Sequence, residues 1–168
     1  MERLRGLIGR AFGSGDVYLS LRRQILDASA DDLRLRPTPE LPRVWGLVMD
    51  MGFPNGVASL VAIADGSTSL YYSSGGGIIG GGGHARVVAA THRLLMAVEG
   101  VLDAFAPNID PPLPVAGGTV FRILLFDGRR AAAADEERLG AGDHVLSPVF
   151  YAAHDVIGEL RLIDEARG

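Results

Sequence analysis

The chain has no cysteine and no lysine among its 168 residues. The first absence excludes disulfides, thiolate zinc sites and cysteine nucleophiles. The second excludes a Schiff-base lysine and the lysine of a phosphate-binding P-loop. All 16 basic residues are therefore arginines, set against 20 acidic ones, for a formal net charge of −4. That balance argues against a nucleic-acid partner. Aromatic residues are sparse at 7%, and no apolar run approaches the ~20 residues of a membrane span. No secretory signal pattern opens the sequence. What is present is a chain 48% apolar and 21% charged, sized for one compact domain and expected in the cytoplasm without membrane attachment. Arginine without lysine, beside abundant alanine and glycine, is the composition of a high-GC bacterial genome.

The first dozen residues, MERLRGLIGRAF, place Leu4, Leu7, Ile8 and Ala11 on one helical face, with Arg3, Arg5 and Arg10 around it. Gly6 and Gly9 weaken such a helix by about 1 kcal/mol each, so it reads as a frayed end or short docking segment rather than a membrane-surface helix. A firmer helix is expected from Asp16 to Ala28, capped by Asp16, with Tyr18, Leu21, Ile25 and Ala28 at helical spacing. Pro37, Pro39 and Pro42 then mark a connector. Residues 1–43 thus read as an N-terminal helical segment plus connector, and 44–168 as a single α+β domain.

Val44–Met51 (VWGLVMDM) is apolar on both alternations, with Trp45, Leu47 and Met49 opposing Val44 and Val48. Val57–Ala64 and Ser67–Ser73 read as a hairpin about Asp65-Gly66. Thr119–Phe126 and Arg129–Ala134 form a second about Asp127-Gly128. Asp-Gly supplies the positive φ angles of a two-residue primed turn. Between the hairpins a helix is expected from His84 to Phe105, because Val87, Thr91, Leu94, Val98, Val101 and Phe105 make one stripe. Ser147-Pro148 opens the last helix, buried along Val149, Phe150, Ala153, Val156, Ile157 and Leu160. The order predicts an α+β fold: a mainly antiparallel sheet of about five strands, two long helices packed on it, and an additional N-terminal helix.

Seven of the nine positions from Gly75 to Gly83 are glycine, between the third expected strand and the long helix. Each glycine in ordered structure costs about 0.5–1 kcal/mol against alanine, so the run is either mobile or does something that side chains would obstruct. Gly75, Gly77 and Gly80 match G-x-G-x-x-G, but neither a βαβ unit nor a strand-end acid accompanies them, so a dinucleotide fold is not expected. A simpler anion cradle is the alternative that stays open. The long helix has no Ser, Thr, Asp or Asn to cap its first N–H groups, and Arg86 sets a cation against the helix dipole. Gly75, Gly77, Gly80, Gly81, Gly82 and Gly83, with His84 and Arg86, are the candidate ligand-binding residues, for a phosphate or carboxylate. The competing reading is close packing of the loop on the sheet, anchored by Ile78 and Ile79.

Elsewhere the sequence assembles no catalytic set, metal site or cofactor motif. His84 and His92 lie about 80° apart around a helix, and His154 meets Gly158 rather than a ligand at i+4. Ser73 and Ser74 lack the G-x-S-x-G elbow. Asp50 follows Val44 and Val48 on one strand face, near Asn55, and reads as a turn partner at a strand end.

From Val44 to about Ile163 the chain resembles a bacterial family with a similar SSGGGIIGGGG segment, a long helix, and an LSPxFY-type start to the final helix, here Leu146, Ser147, Pro148, Phe150 and Tyr151. The resemblance implies no activity. At fold level the plan is similar to roadblock and profilin-like scaffolds, which mostly serve as interaction modules. Roadblock domains place two strands before the central helix and three after it, the reverse of the order here. The leading expectation is a non-enzymatic interaction module that self-associates, most simply as a homodimer, or that binds another protein. Val120–Phe126 (VFRILLF) motivates it, since a strand apolar on both faces needs cover on both. The alternative is a small enzyme or sensor that holds an anionic ligand at residues 75–83.

Overall fold

A computed structural model describes residues 15–168, so the amphipathic stretch expected over the first dozen residues lies outside it. Seven strands form one antiparallel sheet: β1 (Val44–Phe53), β2 (Gly56–Ile63), β3 (Thr68–Tyr72), β4 (Gly77–Ile78), β5 (Ala106–Pro107), β6 (Gly118–Leu125) and β7 (Gly128–Asp135). Their spatial order is β4-β3-β2-β1-β6-β7-β5. The helices are α1 (Gly15–Asp27), α2 (Ala85–Gly100), α3 (Glu136–Gly140) and α4 (Ser147–Arg167). The α+β class and the antiparallel sheet agree with the sequence; the strand count of about five does not. The two further strands are β4 and β5, each two residues long and too short to leave a periodic pattern.

Three local expectations are corrected. First, α2 ends at Gly100 rather than Phe105: Val101 leaves helical geometry at φ −125°, and a 3-10 turn, Leu102–Ala104, leads into β5. Leu102 and Phe105 stay buried, so their apolar stripe continues after the helix has stopped. Second, neither Asp-Gly forms a primed two-residue turn, since neither aspartate has positive φ. At the first, Gly66 (φ 89°) closes a three-residue loop, with Gly66 N–H donating to Ile63 O and Ile63 N–H to Ser67 O, both at 2.9 Å. At the second, the loop is Phe126–Asp127, and Gly128 opens β7 opposite Leu125. Third, Asp16 lies inside α1 rather than capping it.

A bulge in β1 resets its alternation between Val44 and Gly46. Trp45 thereby joins Val48 on one face, while Val44 joins Leu47 and Met49 on the other. The Trp45 indole N–H donates to Leu125 O at 2.9 Å and pins the bulge to β6. The Val44 face packs on α2 and α4 through Leu94, Leu95, Val98, Val149 and Val156. The Trp45 face, with Val61, Ile63, Tyr71 and Leu124, packs on Tyr18, Leu21 and Ile25 of α1. The chain therefore covers both faces of its own sheet, with α1 closing one of them. Among the described residues no helix is long and apolar enough to cross a membrane.

Candidate functional site

The glycine segment doubles back on β3. Gly75 N–H donates to Tyr72 O and Tyr72 N–H to Gly76 O, and Gly77–Ile78 then pair with Tyr71 and Leu70. Ile78 is buried in the α2/α4 core, and Ile79 is half-buried against the α1 side. Two of the glycines are required by close approach. A side chain at Gly77 would collide with Leu70 O, and a Cβ at Gly81 would lie 2.7 Å from Leu160 and 2.9 Å from Val87. Gly82 rests on the Gly66–Ser67 backbone, and Gly75 has open space around it. Gly81–Gly83 form a 3-10 turn, and His84 follows at the α2 N-cap position without a side-chain cap. The structure brings Gly80 and His84 together with a residue that sequence reading missed. Arg167, at the end of α4, donates to Ile79 O at 3.3 Å and lies 3.4 Å from His84 Nε2. Arg86 points elsewhere, to Glu159 on α4 at 3.0 Å.

Asp50 is not at a strand end. It sits in the middle of β1, fully buried, directly opposite Ser59 of β2 and Val120 of β6, with Arg122 two residues further along β6 on the same face. Ser59 Oγ donates to Asp50 Oδ1 at 2.5 Å, and the Tyr18 hydroxyl is 2.6 Å from Ser59 Oγ. Arg22 reaches down from α1 as a fork, Nε to Oδ1 at 3.2 Å and Nη2 to Oδ2 at 2.8 Å. Arg122 Nη1 donates to the same Oδ2, its Nη2 to Pro111 O, and its Nε to Asp110 Oδ1 at 3.3 Å. Burial pushes the Tyr18 pKa upward, although its bond to Ser59 works the other way. For Arg22 burial pulls the pKa down, but the hydrogen bond and charge of Asp50 outweigh it and hold the guanidinium charged. Both carboxylate oxygens are engaged from within the chain. The cluster ties α1 to β1, β2 and β6 and, through Arg122, to the segment Asp110–Pro111.

What it holds leads to the surface. Arg122 grips Asp110 and Pro111, the root of the proline-rich loop between β5 and β6. That loop crosses to the β1–β2 end of the sheet, where Val115 O lies so close to Gly52 that a side chain there would collide with it. Gly117 N–H donates to Gly52 O at 3.1 Å and fixes the crossing. Between the loop, the end of β6–β7 and α3 lies a cleft of about 470 Å³. Pro112, Leu113 and Val115 line one side, Thr119 and Ala133 the sheet side, and Arg138 and His144 the far end. His144 Nδ1 accepts from Leu146 N–H at 3.0 Å, which leaves its ring proton on Nε2. Thr119 Oγ1 is buried and has no hydrogen-bond partner.

Val115, which lines the cleft, is 81% exposed; Val145 and Phe53, outside its lining, are 60% and 42% exposed. Tyr151, also exposed, donates its hydroxyl to Gly140 O at the end of α3. Compared with protein families, with curated proteins and with solved structures, the chain matches none of them significantly.

Proposed function

We propose that the protein is a cytoplasmic, non-enzymatic interaction module that self-associates, most simply as a homodimer. The observation that carries this reading is the preformed cleft walled by Pro112, Leu113 and Pro114, with the apolar Val115 in its lining 81% exposed. An exposed apolar patch with a polar border is the usual appearance of a protein contact surface. The sheet faces do not contribute, because α1 covers one and α2 with α4 the other. Sedimentation equilibrium across the micromolar range tests the reading. A dimer mass with a measurable dissociation constant is expected, and a monomer throughout refutes it.

A second reading, an anion held at the start of α2, is favoured by one observation: Arg167 stands beside His84 and Gly80 where the first N–H groups of α2 have no side-chain cap. Its test is a thermal-shift panel of inorganic phosphate, sugar phosphates and dicarboxylates. A ligand at 100 times its Kd adds about 2.7 kcal/mol of stability. Arg167→Ala should abolish any such shift, and a flat panel dismisses the reading.

A further inference from the structure

We propose that residues 109–115 (IDPPLPV) are a docking ridge for another protein, one that presents a groove of aromatic side chains with a basic residue at its border. The inference deepens the interaction-module reading by naming a partner other than a second copy. Titration reads that partner and sedimentation reads self-association, so either can fail alone.

Covalent chemistry sets the shape of the ridge. Proline fixes φ at Pro111, Pro112 and Pro114, while Asp110, Pro111 and Leu113 each precede a proline and are steered away from helical geometry. The segment accordingly belongs to no helix, strand or turn. A run restricted in this way takes the polyproline-II form, with three residues per turn. Exposure follows that period. Ile109, Pro112 and Val115 are all exposed, whereas Pro111 and Pro114 are half-buried and Leu113 packs against the Trp45 face of the sheet. One edge of the segment is thus an apolar ridge turned to water, with a side chain about every 9 Å.

Polyproline-II ridges are read by grooves lined with aromatic rings. The exposed aromatic rings among the described residues are Phe53, at the end of β1, and Tyr151, on α4, and two rings on separate elements make no such groove. The reader is therefore a different protein. The ridge is also held before any contact is made. Arg122 donates to Asp110 Oδ1 and Pro111 O at one end, and Gly118 N–H donates to Val115 O at 3.0 Å at the other, so little freedom is left to lose on docking. Charge narrows the partner further. Asp50 and Asp110 balance Arg22 and Arg122, and Asp143 balances Arg138. Among the described residues no ion pair engages Asp135, which lines the cleft beside the ridge. A groove bordered by arginine or lysine meets that uncompensated charge, and one with an acidic border is repelled by it.

The test is isothermal titration of the full chain with two purified groove domains, an SH3 and a WW domain, each of which reads polyproline II through its own aromatic set. At least one should bind, and its affinity should fall as salt rises. Pro112→Ala and Val115→Ser alter exposed positions of the ridge, so the melting temperature should hold while Kd rises about tenfold or more, the effect of a central contact residue. Leu162→Asp, on α4 across the sheet from the ridge, should bind as the wild type does. A synthetic peptide of residues 109–115 should bind more weakly than the chain, because it must order itself first. If neither domain binds, or if binding survives both ridge substitutions, the inference is overturned whatever the sedimentation result. Loss of binding in Leu162→Asp alone places the contact on α4 and also overturns it, and an affinity indifferent to salt overturns the basic border. A dimer that binds neither domain leaves self-association standing, and a monomer that binds one through the ridge refutes only self-association.

Discussion

On the face under α2 and α4, Leu47, Met49, Leu60, Phe121 and Ile123 meet Leu94, Leu95, Val98, Val149 and Val156, and the Thr68–Thr91 hydroxyl pair at 2.7 Å bridges strand to helix. On the opposite face α1 brings Tyr18 and Arg22 down onto Ser59, Asp50 and Arg122. Two helices offer enough apolar area to fix themselves by packing, which is non-directional and sums over many contacts. The single helix α1, 13 residues long, buries Tyr18, Leu21, Ile25 and Leu26. Such a stripe tolerates sliding by a turn. An arginine fork onto one carboxylate does not. A buried ion pair is a poor source of net stability but a good source of register, and here the register extends through Arg122 to the loop that walls the cleft.

The largest effect should come from breaking that cluster at its centre. Asp50→Asn leaves Arg122 and Arg22 without their shared carboxylate in the sheet interior, and should cost about 3–5 kcal/mol in urea unfolding. Replacing Asp50, Arg22 and Arg122 together by leucine or methionine should recover most of that loss, because no charge is then left unpaired. The cleft loop should nevertheless loosen in the triple variant, with faster amide exchange at Val115 and Gly117. Equal protection in wild type and triple variant would show that the cluster sets no register.

On the other face the matching test is a cavity. Leu94→Ala removes a fully buried side chain between α2 and the sheet and should cost about 2–5 kcal/mol. Unlike Asp50→Asn, it should leave the cleft loop's exchange rates unchanged apart from the global loss of stability. If both variants loosen the loop equally, the contrast between the faces is one of composition only.

The same contrast explains what the sequence shows and what it hides. The five long strands and helices α1, α2 and α4 are legible because their apolar periodicity spans several turns or pleats, whereas α3, five residues long, leaves no such pattern. Even so, the periodicity overshoots the end of α2, since Val101, Leu102 and Phe105 continue the stripe after Gly100 ends the helix. The bulge at Trp45 was invisible, because a single extra residue changes which face a side chain takes without changing composition. Asp50 and Arg122 are 72 residues apart, and only strand pairing brings them together. A signal did exist: each is a lone charge, of opposite sign, inside an otherwise apolar strand, VWGLVMDM and VFRILLF. Two such strands in one buried sheet have every reason to be neighbours. The glycine segment was conspicuous from composition, whereas the cleft is built from pieces that share no local pattern. Nor did composition reveal that Gly81 packs on Leu160 and Val87. Gly81→Val therefore damages folding as well as any site there.

A smaller effect should run in the opposite direction. Thr119 Oγ1 is buried on the α2/α4 side of the sheet without a partner, and an unsatisfied hydroxyl of that kind costs about 1–3 kcal/mol. Thr119→Val keeps the shape and removes the unmet bond, so unfolding free energy should rise by about 1 kcal/mol. An unchanged or lower value would mean that the hydroxyl is satisfied in solution, for which a bound water is the natural partner.

The smallest effect at neutral pH, and the one that separates the faces by titration, concerns Tyr18. Tyr18→Phe deletes one neutral hydrogen bond, while Ser59 keeps its bond to Asp50, so the loss at pH 7 should be about 0.5–1.5 kcal/mol. At alkaline pH the comparison changes. Burial raises the folded-state pKa of Tyr18 above its ordinary value near 10, and Tyr71 on the same face is raised for the same reason. A raised folded pKa means that the unfolded chain releases its proton first. The stability gained by keeping the phenol neutral is thus complete below about pH 10 and is lost as pH climbs through the folded pKa. Urea unfolding measured from pH 8 to pH 11 should show wild-type stability falling above about pH 10. Tyr18→Phe should flatten that fall, and Tyr18→Phe with Tyr71→Phe should flatten it further. If the wild type and Tyr18→Phe fall in parallel, Tyr18 is not held neutral by the α1 face, and α1 does not seal the sheet from water as closely as its contacts indicate.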